Sequence, residues 1–202
     1  MLRIAPELLN TTSQSPYRAA FEQGYRWLRF EPSLEKLFLD ELRDIYNAEK
    51  QLTRALPRMA KAAESPELRQ AFTTHLKETE GQIQRLERVF KEVGQAVRGK
   101  KCKGMEGLIE EGKEKMEEEG EPEVLDAALI ASAQKVEHYE IASYGCLRTY
   151  AELLGYASAV ELLQQNLEEE EATDKKLTQL GESGINRSAA MAGAGQEEEE
   201  EE

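Results

Sequence analysis

Seven acidic or amide side chains stand where four helical patterns require hydrophobic ones, and a cation site inside the core is the chemistry they suggest. Alternating steps of four and three residues trace one face of a helix. The first such stripe is Phe38, Leu42, Ile45, Glu49, Leu52, Leu56 and Met59. The second is Leu68, Phe72, His75, Thr79, Gln82, Leu86 and Val89, with Glu78 at its edge one turn after His75. A third runs Ile130, Ala133, Glu137, Glu140, Tyr144, Leu147, Ala151, Leu154, and a fourth Val160, Leu163, Leu167, Glu170, Asp174, Leu177. A single glutamate in such a stripe ordinarily lies at its edge and reaches solvent. Here all four stripes carry the exception at one height. Reflecting Glu49 through the Ser65-Pro66 turn lands between Glu78 and Gln82, and reflecting Glu137 and Glu140 through Gly155 lands beside Glu170 and Asp174. An unpaired buried carboxylate costs several kcal/mol, so several together require positive charge among them. Two divalent cations would supply it.

The spacing fixes how ligands can be shared. In ferritin-like dimetal proteins two helices each give one Glu and two give a Glu-x-x-His pair. Glu49 is the single ligand of the first helix, while the second offers Glu78 with either Gln82 or His75. The third offers Glu137 and Glu140, the fourth Glu170 and Asp174. No Glu-x-x-His occurs in the chain, so the set is rich in oxygen, with His75 as its one plausible imidazole. Such a set favours hard ions, manganese, magnesium or iron, over zinc or copper. Tyr46, one turn before Glu49, and Tyr144, one turn after Glu140, are candidates to hydrogen-bond the ligands. Ordinary packing in the core explains both tyrosines equally well. His138 lies off the stripe and reads as a surface or subunit-contact residue.

The elements that must position these residues are helices. Of 202 residues, 33% are charged and 6% aromatic, with Ala, Leu, Glu, Lys and Gln dominating and no β-branched run long enough for a sheet. The pattern predicts helices near 33–63, 66–93, 123–154 and 158–181, with a kink or break in the first near Arg54, before Pro57. The first and second helices are joined tightly, as are the third and fourth. The long connection between the pairs holds a basic patch (Arg98, Lys100, Lys101, Lys103) and a short helix near 105–118. An all-α, ferritin-like four-helix bundle with one long crossover is therefore expected over 31–187. Residues 1–30 form an N-terminal extension, a short helix or a disordered leader, and 188–202 an acidic, disordered tail.

Charge and cysteine usage exclude several classes. The net charge is −14, and without the six glutamates at 197–202 the balance is still 26 basic against 34 acidic residues. That body argues against nucleic acid as a partner. Cys102 and Cys146 form no CxxC pair and no disulfide framework, which points to a reducing compartment. No apolar run approaches the ~20 residues of a membrane span, and the start lacks a signal-peptide layout, so a cytoplasmic protein is expected. Leu37, Leu39 and Tyr46 point away from the first helix's core stripe and suggest a homodimer.

The blocks LFLDELRDIYNAEKQLTRALPRMAKAAES, HLKETEGQIQRLE, KCKGMEGLIEE, DAALIASAQKVEHYEIASYGCL and LLQQNLEEEEATDKKL resemble the YciE/YciF family of bacterial ferritin-like stress proteins. The resemblance spans roughly 34–187, and KVEHYEIASYG is its most specific block. It implies a rubrerythrin-like bundle, usually a homodimer, with a dimetal site and induction under stress. The family's ligand acids fall on Glu49, Glu78, Glu137, Glu140, Glu170 and Asp174. The functional expectation is a protein whose two divalent ions, iron or manganese, meet peroxide or oxygen, an oxidoreductase if it is an enzyme. The alternative is a non-enzymatic structural or interaction protein of a stress compartment with a structural or vestigial metal site. Iron storage is disfavoured, since a dimer forms no closed shell.

Overall fold

The computed structural model describes residues 33–199, and every regular element among them is helical. The reading of 1–30 lies outside the described residues. α1 (Leu34–Ala62) and α2 (Pro66–Glu92) form one antiparallel pair, α4 (Pro122–Leu153) and α5 (Ala157–Leu180) the other, and α3 (Lys103–Glu117) sits in the crossover. α2 packs on α5 and α1 on α4, closing a four-helix bundle with a single long crossover, as expected. Each predicted boundary falls within two residues of the observed one.

The α1 stripe buries Phe38, Leu42, Ile45, Ala48, Leu52, Leu56 and Met59 together with Glu49. α1 does not break near Arg54. It runs through Pro57 to Ala62 with Ala55, Leu56 and Met59 all buried, and that packing outweighs the ~3 kcal/mol that an interior proline costs a helix. At the α1–α2 turn Ser65 caps α2, its Oγ accepting from Leu68 N at 3.2 Å, and Pro66 takes the first helical position. Asp126 of α4 clamps the same turn: its two oxygens accept from Glu64 N at 2.9 Å and Ser65 N at 2.7 Å. Asp126 is 5% exposed, so losing it strands two backbone donors. Asp126→Ala should therefore destabilise the fold by about 2 kcal/mol. Thermal melting should show a fall of ~4–8 °C for a chain of this size; an unchanged midpoint would mean that the turn holds itself.

Gly94, at φ 68°, ends α2 in the left-handed conformation glycine permits, with Gln95 N donating to Phe90 O at 2.8 Å. The crossover is then fastened to α1. Lys100 N donates to Arg43 O at 3.0 Å, Cys102 N to Asn47 Oδ1 at 2.8 Å, and Gln51 Nε2 to Cys102 O at 3.0 Å. Cys102 caps α3, and Tyr139 of α4 lies with its hydroxyl 3.0 Å from the Cys102 sulfur while donating to Asp44 Oδ2 at 2.5 Å. Burial, and then the neighbouring Asp44, push the Cys102 thiol above its ordinary range, so it remains a protonated structural cysteine.

Two expectations are corrected here. The chain does not become a disordered tail at 188. A π-helical turn (Gly181–Ile185) follows α5 directly, and α6 (Asn186–Glu199) continues it, lying on α4. Gly181 keeps helical dihedrals, Ile185 packs on the core, and Ala189, Ala190 and Ala192 are strong helix formers, so nothing stops the helix. Leu39 and Tyr46, read as spare apolar surface, are packed within the chain. Tyr46 meets Phe90 edge-on at 5.6 Å and donates to Glu87 Oε1 at 3.0 Å, leaving Leu37 as the exposed member of the three.

Candidate metal centre

The four helices bring their exceptions to one level. His75 of α2, Glu137 and Glu140 of α4 and Glu170 of α5 each offer a ligand atom, all within 4.8 Å of one another. Glu49 of α1 joins them from the side, its Oε1 accepting from the Tyr144 hydroxyl. None of these residues is more than 3% exposed. His75 Nε2 lies 3.3 Å from Glu137 Oε1 and 3.7 Å from Glu170 Oε2. On its other side, Nδ1 lies 3.4 Å from Glu78 Oε2 and 3.3 Å from Thr173 Oγ1, contacts that aim Nε2 inward.

The oxygens facing the centre are stranded. Among the described residues, Glu49 Oε2, Glu137 Oε2, both oxygens of Glu140 and both of Glu170 are buried without a hydrogen-bond partner. Native interiors satisfy nearly all such atoms, so this concentration marks a cluster that could hold a metal ion. Burial, then the neighbouring carboxylates, raise Glu140 well above the ordinary range. Burial raises Glu170 likewise, against the opposing pull of His75, and Glu49 is pushed up to about 7 by burial in spite of its Tyr144 bond. His75 moves up too: burial disfavours its cation, but Glu137, Glu78 and Glu170 together outweigh that. Every one of these shifts runs toward keeping protons on the cluster, the sense in which positive charge is favoured there. A set of four carboxylates with one imidazole fits hard divalent ions.

Three of the sequence-predicted ligands, Glu78, Asp174 and Gln82, lie outside the cluster. Glu78, 39% exposed, stands behind His75 and touches its Nδ1 instead of the cluster. Asp174, 23% exposed, accepts from Gln134 Nε2 at 3.1 Å and faces His138 Nε2 at 3.4 Å, between α4 and α5 near the surface. The step from Glu170 to Asp174 turns the helix by about 40° past a full turn, enough to carry Asp174 to the stripe's edge. Gln82 is fully buried with both side-chain polar atoms unpartnered, but it is not one of the clustered groups. Tyr144 donates to Glu49, one of the candidate ligands, whereas the partner of Tyr46 is Glu87. His138 is 70% exposed, in keeping with a surface residue. Sequence reasoning missed Thr173, which follows Glu170 by three residues and so faces the same flank as Glu78. It also missed fully buried Asn166, which accepts from Arg85 Nε while the same guanidinium pairs with Glu169. Asn166 precedes Glu170 by four residues, a helical spacing that could have drawn attention to it.

Fold and site together define an all-α bundle of the ferritin-like type with a carboxylate-and-histidine centre in its core. Residues 33–190 match the family described as a domain of unknown function, DUF892, and the chain belongs to that family. It is 54% identical over 158 residues to Protein YciF of Escherichia coli, covering 78% of this chain and 95% of that one. The crystal structure of the E. coli stress protein YciF superposes with a TM-score of 0.74 at 53% identity, over 77% of this chain and 99% of the other. YcfI from Rhodopseudomonas palustris, for which a structural role has been suggested, gives 0.72 at 48% identity over 75% and 97%. A Xanthomonas campestris protein, at 20% identity and 0.62 over 78% and 96%, shares the fold. The resemblance to YciE/YciF stress proteins is thereby borne out.

Proposed function

We propose that Glu49, Glu137, Glu140, Glu170 and His75 hold two divalent ions, iron or manganese, and that the loaded protein removes peroxide or oxygen in a stress response. The observation that carries this reading is the set of stranded carboxylate oxygens turned toward one point beside an inward-aimed imidazole. Bound there, either metal supplies one-electron changes in pairs, which reduction of a peroxide to water requires. The chain's own residues set the conditions. Glu78 and Thr173 fix the ring of His75, Tyr144 donates a hydrogen bond to Glu49, and the apolar layers above and below exclude bulk water. With no cysteine pair in the chain, electrons must come from an outside donor.

The test is elemental analysis of protein purified without chelator, followed by peroxide consumption of the loaded protein and of Glu137→Gln. Bound iron or manganese, with consumption that falls in the variant, is the expected result. Metal without consumption would favour the second reading, a structural centre, which the role suggested for the R. palustris relative supports. Protein that takes up no metal would end both readings.

A further inference from the structure

The buried centre has a side opening. A cavity of about 90 Å³ reaches inward between α2 and α5, with His75 and Glu137 at its inner wall and Glu78, Thr173, Ala172 and Lys176 nearer the surface. Its rim reaches solvent: Ala172 and Lys176 are exposed and Glu78 is partly so. A volume of this size holds about three waters, enough for a divalent ion that has shed most of its hydration shell or for a molecule the size of hydrogen peroxide. Lys176 lies close enough to Glu78 to act on its charge.

We propose that this opening is the port through which divalent cations reach the core carboxylates, with Lys176 as the charge that limits the rate of loading. The inference rests on the metal-binding reading above and adds the route. Cation and acid both line the mouth. Glu78 attracts an incoming divalent ion, while Lys176 repels it and competes for the same carboxylate. A small rim residue, Ala172, leaves the mouth clear. The carboxylates are otherwise enclosed at 0–2% exposure, and this cavity joins two of the centre's residues, His75 and Glu137, to rim positions that reach solvent.

The experiment uses the full chain, stripped of metal and mixed rapidly with manganous ion, and follows loss of the free-ion paramagnetic resonance signal together with final occupancy. Ala172→Trp, a substitution at an exposed helical position, should slow loading several-fold and leave final occupancy at the wild-type level. Lys176→Glu should speed loading by up to about tenfold at low ionic strength, and the gain should fade in high salt. Ala142→Trp and Lys91→Glu, at exposed positions away from the cavity, should load like wild type. Wild-type rates in both port variants at full occupancy would overturn the route and leave the centre standing. Equal effects from the control pair would overturn it as well. A wild-type chain that binds no manganese would remove the centre, and the port with it.

Discussion

Metal-free protein carrying Glu140→Met should melt higher than metal-free wild type, and it should lose the ability to take up manganese or ferrous ion. Glu140 is fully buried and neither of its oxygens has a partner among the described residues. Its charge is opposed by burial first and then by Glu49, Glu170 and Glu137. Replacing buried charged groups with apolar ones of similar volume commonly stabilises by ~1–4 kcal/mol. Methionine follows the unbranched path of the glutamate and adapts to irregular space. A gain on the order of 2 kcal/mol corresponds to ~4–8 °C for a domain of this size. Metal should reverse the ranking, because only the wild-type chain retains the full ligand set. Thermal melting of both proteins, with and without manganous ion, gives the answer in four curves. A variant that melts below wild type in the absence of metal would mean that Glu140 is satisfied as it stands, and its stranded oxygens would lose their functional meaning.

The pattern of opposed stability and binding explains why the centre was legible in the sequence. A stripe at helical spacing reports burial, and a carboxylate within it reports a conflict that only a partner can resolve. Glu49, Glu137, Glu140 and Glu170 sit near the middle of their stripes, and all four are buried in the structure. The same logic fails at a stripe's edge. Glu78 and Asp174 each lie within a few residues of a true cluster member, yet rotation by a fraction of a turn sends them to Nδ1 of His75 and to the α4–α5 surface. Periodicity resolves a helix into faces but not into the exact bearing of a side chain. Thr173 and Asn166 were harder to find for a different reason: neither stands on its helix's four-three stripe, so neither marks a conflict in the pattern, and only the spacing of Asn166 to Glu170 hints at it. The chain beyond Leu180 misled because small residues and glutamates suggest disorder by composition, whereas a π-helical turn carries the helix onward at Gly181. Tyr46 shows the limit on surface inference, since a residue off its own helix's stripe can still be covered by a neighbouring helix, here at Phe90 of α2.

The gap between the melting temperatures of metal-loaded and metal-free protein should widen as pH rises from about 5 to 8. In the metal-free chain Glu49 has its pKa raised from 4.5 to about 7, and Glu140 and Glu170 are also raised well above 4.5, with burial the leading cause in each. A carboxyl raised on folding holds its proton more tightly in the native state than in the unfolded one. Its contribution is therefore full below the unfolded value of 4.5 and is lost as pH climbs through the folded value. His75, raised above 6.5, acts in the same direction: its stabilising cation is kept at low pH and lost as pH rises through the folded value. Both kinds of group thus weaken the metal-free fold over the same window. Metal does the opposite, since it binds the deprotonated ligands and displaces their protons. At pH 8, with free ion at 100 to 1,000 times its dissociation constant, binding adds ~2.7–4.1 kcal/mol, or roughly 5–16 °C for a chain of this length. Near pH 5 the protons already occupy part of the centre and the gain should shrink toward zero. Melting curves at several pH values, with manganous ion or with chelator, measure the gap directly. A gap that changes little between pH 5 and 8 would place the bound ions on exposed surface carboxylates, which are mostly ionised across that window, and not on the buried cluster.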